Sequence, residues 1–465
     1  MNTGWGQRAA AALVLAATTA GQAETFTWDG GSAVDSNWST SENWNPDGSV
    51  PVSASDTLIQ LNGGARLTPS QNIATPFTLN RLEFLGGSSF STAFNLGGNQ
   101  LQFVANGTTQ PRIYLNRNAT CVINNPIDIP ADTTLLMEIS TYGVNFTGII
   151  SGEGSIDKQT QAGGIELRNG ANSFSGGLTI RAQDGNWQKV NIYASGAMGS
   201  GPVNLYGGTL NTTFLNPGGL IFNNTTTHTN PIFLFQNSPI FAGMTNSRTT
   251  SVTLDGDLSL DAYTLHLRGG GTGVINSIIT GTGVNAITKS DPGIWTLSGA
   301  NTFTGRVTVG GGTLKLGTPE ALNPAVPLTA AGGVLDLNGF TVTNSGVSLQ
   351  GGAFSNGTLY ATSLISLSGG DMLASLTGPA GVTKSGTGTL VLSLPNIYEG
   401  QTTVSAGTLQ IARRVSLYGG DTAQWNEANI LVSSGASLAL NVGGPEEFTD
   451  DRSEEHTSEL QSRQV

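Results

Sequence analysis

The best candidate carboxylate group in the sequence is Asp255, Asp257 and Asp261. Asp255 and Asp257 lie two residues apart, so on an unbroken strand both carboxylates would leave one face, and a hard cation such as Ca²⁺ takes several oxygens of that kind. Gly256 between them reads as a turn, however, and the Gly-Gly-x-Gly-x-Asp nonapeptide of calcium-binding solenoids is missing. No metal ligand is therefore assigned. Asp157 precedes Lys158, an acid beside a base, but Thr288 and Thr383 stand before the equivalent Lys289 and Lys384, so no acid–base pair recurs. Zinc and P-loop chemistry lack their motifs: there is no His-Glu-x-x-His, Cys-x-x-Cys or Gly-Lys-Ser/Thr. The Gly-x-Gly strings at 271–273, 281–283 and 386–388 are not followed by a helix that could aim N–H groups at phosphate. Cys121 sits in a predicted strand without a His or cation beside it and reads as a small buried hydrophobe. Catalytic, cofactor and metal residues are thus all assigned as none.

The polar residues that stand out do so by recurring. Asn172, Asn301 and Asn396 are each followed two residues later by an aromatic, Phe174, Phe303 or Tyr398. A sugar-stacking site is one reading. The other places Asn in a left-handed turn and uses the aromatic to close one coil on the next. A binding site need occur only once, so threefold recurrence favours structure.

These residues belong to one unit. Gly293–Gly305 reads Gly-Ile-Trp-Thr-Leu-Ser-Gly-Ala-Asn-Thr-Phe-Thr-Gly, preceded by Lys289 and followed by Val307-Thr-Val309 and Gly312-Thr-Leu. Gly388–Gly400 repeats the pattern between Lys384 and Gly407-Thr-Leu, with the same separations from Lys to Asn and from Asn to Gly. A looser copy begins at Gly152, with Lys158 and Asn172 two residues further apart and an insertion before Gly207-Gly-Thr-Leu210. Within the unit, Leu390/Leu392/Leu394, Leu314/Leu316, Leu409/Ile411 and Ile165/Leu167 alternate, the period-two signature of a strand with one buried face. Gly-Thr, Ser-Gly and Asn-Gly pairs cut these runs short. Strands with so few inward apolar groups must be stacked to make a core, so the expected fold is an all-β solenoid. A β-sandwich is the rival, but its two-residue hairpin signals are sparse.

Composition agrees. The chain has 465 residues, 65 of them Gly, with only 19 basic and 31 acidic residues and a net charge of −12. So much Gly argues against helices, and 18 scattered Pro exclude collagen. Without clustered Lys/Arg no nucleic-acid partner is expected.

The unit Gly-x-Gly…Thr-Lys-x-Gly…Leu-x-Leu-Ser-Gly-x-Asn-x-Phe/Tyr-x-Gly…Val-x-x-Gly-Thr-Leu resembles the autotransporter-associated β-strand repeat, also called the passenger-associated transport repeat. The opening Thr27-Trp-Asp-Gly-Gly31…Asn37-Trp38…Glu42-Asn-Trp44 is similar to the start of secreted bacterial proteins of that family. The resemblance implies a right-handed parallel β-helix displayed on the outer face of a Gram-negative-type cell as an adhesin-like surface protein, and the even spread of charge and the structural character of the recurrent residues favour a non-catalytic stalk, adhesin or matrix component. Surface glycans or other cells would be its partners, and an outer-membrane barrel or sorting anchor would hold it. The competing function is a β-helical polysaccharide lyase or glycoside hydrolase. Lys158, Asn172, Phe174, Lys289, Asn301, Phe303, Gly312, Lys384, Asn396, Tyr398 and Gly407 are assigned as structural repeat positions.

The expected organisation is a signal peptide over 1–23, an N-terminal β region over 24–149, and a β-helix over 150–450 with repeats near 150–210, 279–340 and 376–411. The signal is read from Arg8, the apolar run Ala9–Ala20 and cleavage after Ala23. Charge density rises sharply over 451–465, and 452–462 resembles a translated sequencing adapter, so this tail is expected to be an artefact.

Overall fold

The computed structural model describes residues 24–449 apart from 64, 88–90, 141, 160, 182–188, 208–218 and 245. The leader with its cleavage position, the charged tail and Gly208–Leu210 of the first repeat lie outside the described residues.

The chain is all-β, with 46 short strands and a few single-turn 3₁₀ segments among the described residues. Apart from one ladder at the N-terminus and an isolated bridge, the strand pairings are parallel. That decides for the solenoid over the sandwich, whose consecutive hairpin-linked strands would pair antiparallel. The strands wind into a parallel β-helix with three sheet positions per coil. Val382 pairs with Thr402 and Leu390 with Leu409, so one coil takes about 20 residues and rises one strand spacing, ~4.8 Å.

The first sheet starts with Thr25–Trp28 and Leu58–Leu61 and runs through Ser155–Lys158 and Leu178–Arg181 to Ile279–Thr280. The second extends from Ser70–Gln71 to Ile430–Val432 and is the longest. The third position is shared by a short N-terminal sheet, a ten-stranded one that includes Ile294–Leu297 and Thr313–Leu316, and a C-terminal trio, Thr389–Leu392, Thr408–Ile411 and Ser437–Leu440.

The alternation read from the sequence is the inside–outside pattern of these strands. Ile287, Val307, Leu328, Val347, Ile365 and Val382 stack in one inward column of the second sheet, all buried. Full burial of such a side chain is worth about 1.5–3 kcal/mol. Leu390 and Leu392 point inward, but Leu394 is only half-buried, because the strand ends at Leu392 and the chain turns a corner at Ser393–Pro395.

The N-terminal end is closed by the Trp-rich opening. Thr25–Trp28 pairs antiparallel with Trp44–Asn45, which covers the edge of the first sheet. Trp44 meets Trp28 and Trp38 edge-on at 5.2 and 5.6 Å, and Trp38 meets Phe77 at 5.2 Å. Capping of this kind removes an exposed edge that could template pairing with another chain.

Candidate functional site

The recurrent residues come together at the coil corners. Each repeat lysine ends a strand with its side chain pointing into the solenoid, and all three are buried. Lys289 donates to the carbonyls of Ser290, Asp291 and Gly311, and Lys384 to those of Ser385, Gly386 and Ala406. An ammonium has three protons and no acceptor, so it suits a corner where carbonyls of its own coil and the next converge. Lys158 donates to Gln159 and Gln161. The longer first-copy spacing falls in this corner and moves the second carbonyl one residue further along. Burial pushes the Lys158 ammonium down to about 7 and Lys289 to about 8, and lowers Lys384 as well.

The asparagines bridge three coils. The Oδ1 of Asn301 accepts from Ile279 N–H at 2.8 Å, and its Nδ2 donates to the Ala321 carbonyl at 2.8 Å. Asn172 does the same between Ile150 and Ala197, and Asn396 between Leu376 and Ser416. None of the three has a left-handed backbone, unlike Asn338 and Asn356. The turn conformation expected for them gives way to a side-chain function. At a buried corner the backbone leaves one donor and one acceptor facing inward, and a primary amide satisfies both at once.

Phe174, Phe303 and Tyr398 are buried two residues further on. Tyr398 brings a hydroxyl into the interior, and the surroundings change to match. Thr402 replaces an inward aliphatic and sits 2.7 Å from that hydroxyl, while the Tyr418 hydroxyl bonds Thr402 and the carbonyls of Gly400 and Asn429. Burial raises both phenols above their ordinary value.

Gly312 and Gly407 hold left-handed conformations, with φ of 61° and 66°. A Cβ on Gly312 would lie 2.3 Å from the Asp291 carbonyl and 2.7 Å from the Lys289 ammonium. Lysine and glycine therefore share one corner, and the glycine must remain bare.

The residues weighed for chemistry do not converge. Asp255–Asp257 is a corner between strands ending at Leu254 and beginning at Leu258, and not a strand face. Asp255 accepts from Asn276, and Asp261 is left-handed at φ 51°. Among the described residues no three His, Cys, Asp or Glu side chains are placed to hold a metal ion. Asp157 faces outward, paired with Arg181 at 3.0 Å, while Lys158 faces inward, so the two do not act together. Cys121 is buried, and burial pushes its thiol up to about 11.

Three features had no clear sequence signal. Arg268 and Asp291 form a buried ion pair at 3.1 Å beneath the Lys289 corner, with Arg268 over the Phe241 ring. His228 is buried against Phe222, neither ring nitrogen has a hydrogen-bond partner among the described residues, and burial pushes its pKa down to about 4. On the outer face of the first sheet Arg181 lies over Tyr206, which stacks on the half-exposed Phe235 at 4.6 Å. Each joins residues from different coils, so local spacing does not announce them.

Comparison with known proteins agrees with the repeat. The passenger-associated-transport-repeat family matches at residues 159–182, 287–316 and 382–411; the last two segments carry the corner lysine, asparagine and glycine together, and the first carries Asn172 and begins just after Lys158. The adhesin BmaC autotransporter of Brucella suis biovar 1 (strain 1330) is 29% identical over 366 residues, which is 78% of this chain and 10% of the relative. The chain thus spans about a tenth of that protein's length. No solved structure matches.

Proposed function

We propose that this chain, which carries three passenger-associated transport repeats, is a non-catalytic adhesin-type segment that meets other cells or their surface glycans. Autotransporter passengers are exported and displayed on the cell surface. An outer-membrane barrel or a sorting anchor is the partner that would hold the segment there.

The observation that carries the reading is the fate of the recurrent polar groups. All three repeat lysines and all three asparagines face inward and are used up in backbone hydrogen bonds. A polysaccharide lyase or hydrolase needs carboxylates or basic groups presented together to a substrate. The recurrent residues supply none, and they serve coil closure.

The test uses the full chain, purified and coupled to fluorescent beads. Saturable binding to a panel of cells or to a glycan array, without release of reducing ends or unsaturated products from those glycans, is expected. Turnover that a single carboxylate substitution abolishes would overturn the reading in favour of an enzyme.

A further inference from the structure

The outer face of the second sheet carries a regular array that begins and ends in the repeats, at Thr288/Thr308 and Thr383/Thr403, and runs unbroken between them through Thr329, Ser348 and Ser366. Thr308, Thr329, Ser348, Ser366, Thr383 and Thr403 follow one another in strict register on six successive coils. Thr288 extends the column by one more coil. Six strands at the spacing of a parallel sheet, ~4.8 Å, place hydroxyls at equal intervals over ~24 Å.

The side chains are packed sideways against one another and open only at the top. Thr329 is 8% exposed, yet its hydroxyl has no partner among the described residues. The hydroxyls of Thr308, Ser366 and Thr383 likewise make no hydrogen bond within the described residues. Ser348 accepts only from the exposed Gln350, and Thr403 donates only to Gln401. A packed hydroxyl with unused capacity turns outward.

The rest of the face is almost free of charge, with the exposed side chains of Gln350, Leu364 and Gln401 standing out from it. One flanking column carries Gly310, Ala331, Gln350, Ser368, Ser385 and Ser405, placed by their backbone bonds to the preceding coil. In the other, Arg306 is the one charged residue over these coils, and Gly346 and Gly381 add no side chain. The three columns contain no aromatic ring. The first sheet is different, because Glu83, Arg112, Glu138, Asp157 and Arg181 make its outer face charged.

These properties narrow the partner. A soluble sugar or small ligand is normally held in a concave site that buries most of its surface, and an outward sheet face gives no such enclosure. An anionic partner would call for cations, which the face lacks apart from Arg306. Insoluble polysaccharide would be expected to use aromatic platforms, and none is present. What remains is an extended, uncharged, periodic surface that offers hydrogen-bond donors and acceptors at fixed intervals.

We propose that this face binds ice. The hydroxyls and methyls of the column would order a layer of water in register with the coils, and that layer would merge with the lattice. The rigidity comes from the packed inward column beneath, and lysine and asparagine bridges fix the coils at its two ends, at Lys289/Asn301 and Lys384/Asn396. This inference is independent of the adhesin reading, which needs no particular face.

The experiment grows a polycrystalline ice hemisphere slowly in a dilute solution of the full chain, with an unrelated globular protein as bystander. Incorporation of the chain into the ice, with the bystander excluded, is expected. Thr329→Lys and Thr383→Tyr each put a protruding group on the face, and both should fall to the bystander level. Their thermal melts and circular dichroism should match the parent, which separates loss of binding from misfolding. Phe235→Ala, on the first sheet, should incorporate like the parent. Exclusion of the parent chain from ice, or undiminished incorporation of both face variants, would overturn the proposal. So would binding to insoluble neutral polysaccharide that the face variants lose while the parent stays out of ice.

Discussion

Replacing Asn301 tests the central claim about how the coils are held together. Its amide satisfies the Ile279 N–H and the Ala321 carbonyl, both at 2.8 Å and both in a buried corner. Asn301→Ala strands two buried backbone groups on different coils. Each orphan costs about 1–3 kcal/mol, so a loss of about 2–6 kcal/mol is expected, partly relieved if water enters the space left behind. The damage should be local, because each coil of a solenoid touches only its neighbours. Hydrogen exchange read by mass spectrometry is therefore the better assay, and the peptide containing Ile279 should lose protection while peptides near Asn172 keep theirs. Asn301→Asp adds a second signature. Its carboxylate can still accept from Ile279 but faces the Ala321 carbonyl with a lone pair, so the folded state raises its pKa above the unfolded value, about 3.9. A raised folded pKa means that the folded state binds the extra proton in that interval. Stability is then recovered as pH falls, since a protonated carboxyl can donate to Ala321. Unchanged exchange at Ile279 in Asn301→Ala, or an Asn301→Asp defect that does not shrink between pH 7 and 4, would refute the bridging role.

Four other substitutions probe buried positions and corners. Burial holds His228 neutral with a pKa near 4, below the unfolded value of about 6.5. The unfolded chain therefore binds more protons between these limits, and up to about 3 kcal/mol is lost as pH falls through them. His228→Leu should be less sensitive to acid than the parent in urea melts at pH 7 and 4.5. Lys158, held near 7 against about 10.5 when unfolded, gives the same sign in a higher window. Stability should rise from pH 7 to 9 in the parent, and Lys158→Met should flatten that rise while being less stable overall. Gly312→Ala sets a methyl 2.3 Å from the Asp291 carbonyl in a left-handed conformation. The conformation alone costs about 1–2 kcal/mol, so a loss above that in thermal melts is expected, whereas Gly339→Ala, also left-handed but with open space around it, should lose only the conformational part.

Much of the fold was legible because its determinants are local. Leu314/Leu316 and Leu409/Ile411 alternate within single strands, and both pairs face inward. The repeat spacing was legible for the same reason, since Lys289 and Gly312 must meet at one corner and tolerate no drift. The role of Asn301 was not, because its partners Ile279 and Ala321 lie about a coil away on either side, where sequence shows no periodic mark. The Arg268–Asp291 pair and the packing of His228 on Phe222 were hidden in the same way. Phase was hidden too. The first repeat starts its lysine strand, Ser155–Lys158, on the first sheet, whereas Asn285–Lys289 and Val382–Lys384 start theirs on the second. A coil with three comparable sides accepts the unit on more than one of them, so the unit alone does not say which face it will occupy.

That freedom bears on where function can sit. In the second and third repeats the unit pairs with itself: Asn285–Lys289 lies against Arg306–Val309, and Val382–Lys384 against Thr402–Val404. Each therefore closes a coil from its own residues, and its bridging Asn clamps the coils before and after. Closure consumes inward positions and corner glycines and leaves outward strand positions unconstrained by coil packing. The two faces use that freedom differently, with Asp157, Arg181 and Tyr206 stacked on the first sheet and an uncharged hydroxyl column on the second. Regular spacing on an outer face is not demanded by the inward core, since Ile365 would stack on Val382 whatever stood at Ser366 or Thr383. An outward column that keeps one chemistry over six coils therefore calls for a cause outside the coil, and that makes it the place to look for a binding partner.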